Sequence, residues 1–131
     1  MERDFEKFRG GPTQPSNERL HITINRRNTI LMNRNCYRML GKPTAVYLYF
    51  SRVRDTIAIE PLHNPRLPKA FPVRQKNSTG WRIQAGPFFK HFGIRVDTTE
   101  KFISPDIRDG KLMLKLSDTV TVDRLRKGTA K

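Results

Sequence analysis

Between Leu20 and Glu60 apolar residues recur with a period of two, broken by polar turns and one short helical stretch. His21-Ile22-Thr23-Ile24-Asn25 alternates, which predicts a half-buried strand with Ile22 and Ile24 inward. Arg26-Arg27-Asn28 predicts a turn, Asn28 being able to adopt a left-handed conformation. Residues 29–32 predict a second short strand. Asn33 then offers an N-cap for a helix of about two turns, on which Cys36 and Leu40 share a face. Gly41, with Pro43 shortly after, ends it. Residues 46–50 are apolar on both faces, as in a central strand. Residues 52–55 turn the chain, and 56–60 return as an alternating strand.

Four prolines between 61 and 72 predict an extended connector, since proline suits neither helix nor central strand. Beyond it the same order of elements recurs. Residues 70–73 suit an edge strand, 75–80 a loop, and 81–85 an alternating strand. Pro87 sits at the start of a helix that carries Phe88, Phe89 and Phe92 and ends at Gly93. Arg108-Asp109-Gly110 predicts a hairpin turn leading into a cleanly alternating strand at 111–116. Setting Gly41 on Gly93, a shift of 52 residues, suggests an internal duplication, although the strand phase then slips by one residue. Tyr47 and Tyr49 project to one side of their strand, and burial under the second half or a second subunit is expected. Base stacking by exposed tyrosines is the alternative. Trp81, Phe88, Phe89 and Phe92 are expected to form the core of the second half.

The stretch from Ile22 to Pro61 resembles the swapped-hairpin fold of the AbrB, MraZ and SpoVT families. Residues 24–32 are similar to the family's first hairpin, Leu40-Gly41 to its helix end, and 46–60 to its closing hairpin. Asn28, Thr29 and Asn33 stand where the family has a turn glycine, an arginine and a proline. The resemblance implies a mainly β fold with short helices (β or α+β), a swapped-hairpin barrel built from two tandem ββαββ modules. The divisions are a flexible arm at 1–19, a first module at 20–62, a connector at 63–69, a second module at 70–117 and a basic tail at 118–131. The arm could instead form one helical turn pinned by Phe5 and Phe8.

Charge sharpens this picture. The chain of 131 residues holds 26 Lys and Arg against 12 Asp and Glu, a net charge of +14. Between 20 and 96 there are 14 basic residues and only Asp55 and Glu60 as acids, whereas 97–123 is acidic on balance. Self-repulsion on that scale opposes compaction, and a polyanionic partner is the commonest reason to keep it. The resemblance implies basic turns presented to DNA by a dimer or an intrachain pseudo-dimer. Transferred by position, its candidate residues are Arg26 and Arg27 in the turn and Arg34 and Arg38 on the helix. Arg74, Lys76, Arg82 and Lys90 are the second-module counterparts.

Other chemistry finds little support. His21, His63 and His91 stand at no instructive spacing from a nucleophile, and Cys36 reads as a buried thiol. One cysteine and three histidines are too few for the usual zinc site, and no phosphate-binding glycine motif is present. No catalytic, cofactor or metal site is therefore expected. The start of the chain has no apolar leader core, and no run approaches the roughly 20 apolar residues of a membrane span. The expectation is a non-enzymatic, cytoplasmic, nucleoid-associated protein of bacterial or phage type that binds duplex DNA in transcription regulation. RNA binding, or docking of an acidic protein on the basic face, are the alternatives.

Overall fold

The computed structural model describes residues 19–122. Eleven strands and two short helices follow one another as β1 (Ile22–Ile24), β2 (Thr29–Asn33), α1 (Arg34–Met39), β3 (Ala45–Ser51), β4 (Thr56–Leu62), β5 (Phe71–Pro72), β6 (Arg74–Asn77), β7 (Gly80–Gln84), α2 (Gly86–Phe92), β8 (Glu100–Phe102), β9 (Asp106–Arg108), β10 (Lys111–Lys115) and β11 (Thr119–Thr121). They form two antiparallel sheets, one ordered β11-β8-β1-β2-β7-β6 and the other β5-β3-β4-β10-β9.

Local signals set most of these elements. Asn28 takes φ 63°, and Asn25 Oδ1 accepts from the N–H groups of Arg27 (2.9 Å) and Thr29 (3.1 Å), which fixes the β1–β2 turn. Asn33 Oδ1 caps α1 by accepting from Cys36 N–H at 3.1 Å. Gly41 at φ 88° and Gly93 at φ 68° end the two helices in the left-handed region. Asp109 and Gly110 both have positive φ, the backbone of a tight two-residue hairpin turn.

The two halves of the chain pair with each other in both sheets. β2 lies against β7 from Thr29↔Gln84 to Asn33↔Gly80, and β4 lies against β10 from Thr56↔Lys115 to Ile59↔Leu112. A shift of 51 residues carries Thr29–Asn33 onto Gly80–Gln84, while α1 and α2 start 52 apart. Ala85, inserted between β7 and α2, accounts for the phase slip that a uniform shift of 52 produces. The sheets face each other across one core. Ile22, Ile24, Ile30, Met32, Ile83 and Phe102 of one sheet meet Val46, Ile57, Ile59, Leu112 and Leu114 of the other, with Cys36, Phe88 and Phe89 supplied by the helices.

Several expectations are corrected. The sheets do not close into a barrel. The chain passes between them at Val73, whose N–H donates to Thr44 O in one sheet while Arg74 pairs with Arg82 in the other. The edge there is a two-residue strand ending in Pro72, which has no N–H to donate. Pro61 is not a connector residue but part of β4, opposite Val46. Its nitrogen faces the β10 side, where β10 reaches only Ile59, so no ladder bond is lost. Residues 74–77 form β6 rather than a loop, with every residue exposed. Tyr47 and Tyr49 lie on the outer face of the five-stranded sheet, where Tyr47 is half-buried and Tyr49 is 46% exposed, so the second half of the chain covers the pair only in part. The expected tail from 118 begins with β11, paired to β8. The expected arm at 1–18 and the tail beyond 122 lie outside the described residues.

Candidate nucleic-acid interface

Residues directly opposite one another in a sheet share a face. One such row crosses the six-stranded sheet as Arg74, Arg82, Leu31, Thr23, Lys101 and Val120. Its neighbours along β1 and β2 (Ile22, Ile24, Ile30, Met32) point into the core, so this row points outward. A groove of about 510 Å³ runs over this face, lined by Arg27, Lys76 and Arg82 together with Thr23, Thr29 and Gln84. No carboxylate and no aromatic ring is among its lining residues.

Two features of this face concern its arginines. Arg74 and Arg82 stand directly opposite, a like-charge pair that destabilises a sheet unless a counter-charge intervenes. Arg82 Nε is buried and has no hydrogen-bond partner. Leaving such a group unsatisfied costs about 1–3 kcal/mol.

The structure thus places Arg26 and Arg27 in the β1–β2 turn, with Arg27, Arg74, Lys76 and Arg82 on or beside the groove. It does not bring the other three candidates there. Arg34 donates from Nη2 to Ser78 O (2.6 Å), which ties the start of α1 to the β6–β7 turn. Arg38 and Lys90 occupy the last turns of α1 and α2, where a cation suits the helix dipole, and neither lines the groove. Sequence reasoning missed Lys101, which lies opposite Thr23 in the same row. It sits in the acidic part of the chain, so local charge gives no hint of it, and only the β1–β8 pairing does. Burial, then Lys101 and Arg19, holds the His21 imidazole below its usual value, so it stands neutral at pH 7 and adds no charge.

The acids lie elsewhere. Asp106 pairs with Arg108 (2.7 Å), Asp97 with Arg95 (3.2 Å), and Glu60 accepts from Tyr49 Oη (2.5 Å). Glu100, although in β8, projects to the opposite side of its strand from Lys101 and accepts from Thr98, Thr119 and Thr121. Among the described residues no group of three His, Cys, Asp or Glu is placed to hold a metal ion, and no helix is long and apolar enough to cross a membrane.

Cys36 is fully buried, and desolvation pushes its thiol up to about 12. A thiol reagent at pH 8 is therefore expected to leave the native protein unmodified and to label this cysteine once guanidinium unfolds the chain. Labelling of the folded protein within minutes would contradict the burial. Comparison with protein-family models, with curated proteins and with solved structures gives no match.

Proposed function

We propose that the protein binds nucleic acid, duplex DNA in particular, through the outer face of the six-stranded sheet and the Arg26-Arg27 tip, as a regulator or accessory factor. The observation that carries this reading is the convergence of Arg27, Lys76 and Arg82 on a carboxylate-free groove, with Arg82 Nε unpartnered. Arginines and lysines spaced along a groove suit phosphates, which set affinity and register, while base edges supply sequence preference. The lack of aromatic rings in the groove favours a duplex over a single strand, whose unstacked bases are gripped by stacking.

The finer fold reading follows the same line. Hairpin β1–β2 pairs with hairpin β6–β7 and hairpin β3–β4 with hairpin β9–β10, each through its inner strand. That interleaving supports a swapped-hairpin, intrachain pseudo-dimer of the AbrB and MraZ kind. One tip carries Arg26-Arg27 and the other Asn77-Ser78, so the two ends of such a face would grip unequally.

The test is competition binding of duplex DNA, single-stranded DNA and RNA at two salt concentrations. If about six phosphates are neutralised, duplex affinity falls about a thousandfold between 50 and 200 mM salt. Affinity that stays flat over that range would refute the polyanion reading, and preference for single strands would refute the duplex.

A further inference from the structure

The five-stranded sheet leaves one edge open. β4 covers the whole of β3 on one side, but on the other β5 meets only Ala45 and Val46. The ladder decides which backbone groups face the open side. Leu116 N–H donates to Asp55 O, so the odd-numbered residues of β4 bond toward β10 and the even-numbered ones toward the odd residues of β3. The even residues of β3 turn the other way, in keeping with Val73 N–H donating to Thr44 O. The N–H and C=O of Leu48 and Phe50 therefore point off the edge, and no strand among the described residues meets them.

An apolar groove of about 460 Å³ runs beside Leu48, walled by Tyr47, Tyr49, Pro68, Phe71 and Phe88, with Lys69 also lining it. The hydrogen bond from Tyr49 Oη to Glu60 Oε1 fixes one ring as a wall. Unpaired main-chain groups together with apolar recesses for alternate side chains are what strand addition requires: the first supply affinity and the second selectivity.

We propose that this edge captures an extended, acidic peptide segment of a partner protein as an added strand beside Leu48 and Phe50. Charge selects the occupant. A second copy of a chain carrying +14 would meet like charge edge to edge, whereas an acidic segment is attracted by the net charge and by Lys69 and Arg66 of the adjoining loop. The edge belongs to the sheet opposite the basic face, so this inference does not rest on DNA binding.

The probe is a fluorescent peptide of about ten residues alternating valine with glutamate, titrated into the full chain and read by anisotropy. Saturable binding on the order of 10–100 µM is expected. A lysine-for-glutamate version, and a version N-methylated along its pairing edge, should each bind about tenfold more weakly or worse. In the free protein the amides of Leu48 and Phe50 should exchange fast with solvent and slow when the probe binds. Tyr49→Asp should weaken the probe about tenfold, while Arg26→Ala with Arg27→Ala should leave it unchanged. The proposal is overturned if the probe does not bind, or if either altered peptide binds equally well. Slow exchange at Leu48 and Phe50 in the free protein, or a concentration-dependent dimer that occludes them, overturns it as well. Loss of the probe on replacing Arg26 and Arg27 would assign it to the basic face instead.

Discussion

Replacing Arg26 and Arg27 together with alanine is expected to weaken duplex DNA binding by roughly 2–4 kcal/mol, at about 1–2 for each lost phosphate or base contact. Both side chains stand exposed at the β1–β2 tip, and the turn beneath them is held by Asn25 Oδ1 and by the positive φ of Asn28, neither of which changes. Thermal stability should therefore move by no more than about 0.5 kcal/mol. The control is Arg52→Ala with Arg54→Ala, which removes the same charge from the β3–β4 turn of the other sheet. Arg52 stacks over Phe50 and Phe92, 5.9 and 5.5 Å from their centroids, so this control costs some stability but much less binding. Equal loss of binding in the two double variants, measured by anisotropy at one salt concentration, would show that the hairpin tip has no special role.

The largest effect on folding is expected from Phe89→Ala. Phe89 is fully buried on α2 and belongs to the one core that both sheets share. Truncation should cost about 3–5 kcal/mol, combining lost burial with the cavity left behind. Against a total stability of about 5–15 kcal/mol that is a large share. Because each half of the chain supplies strands to both sheets, guanidinium unfolding should remain a single transition. Trp81 reports on it directly, its ring stacked on Tyr37 at 4.2 Å and 9°. Trp81 fluorescence and far-ultraviolet circular dichroism should shift together to lower denaturant. Two separated transitions would mean that the halves fold independently.

What the sequence made legible was local. Asn33 as a cap, Gly41 and Gly93 as helix ends, Pro87 inside the first turn and Asp109-Gly110 as a hairpin turn are all decided by groups within a few residues. The inward sets Ile22/Ile24, Ile57/Ile59 and Leu112/Leu114 follow from alternation alone. Partnership was not legible. That β2 meets β7 and β4 meets β10 depends on registers set 50 residues away. β6 carries no apolar residue to announce it, and β8, β9 and β11 are three residues each. Pro61 looked like a breaker because its free side becomes visible only once the length of β10 is known. The basic face was half legible for the same reason. The Arg26-Arg27 turn can be read from the chain, but the opposition of Arg74 to Arg82 and the place of Lys101 are properties of the sheet.

The pairing of β4 with β10 also bears on how the chain behaves while it is being made. Fifty-three residues separate Ile59 from its partner Leu112, so at about 5–20 residues per second the ribosome releases one roughly 3–10 s after the other. For about the first 25 residues of that interval β2 also waits for β7, which ends at Gln84, and the inner faces of β3 and β4 stay uncovered on the β10 side until its end. Contacts this distant in sequence slow folding, because loop-closure entropy is met before any pairing compensates it. The charge of 20–96 would help keep the nascent first half from associating with other nascent copies until Leu112 and Leu114 emerge.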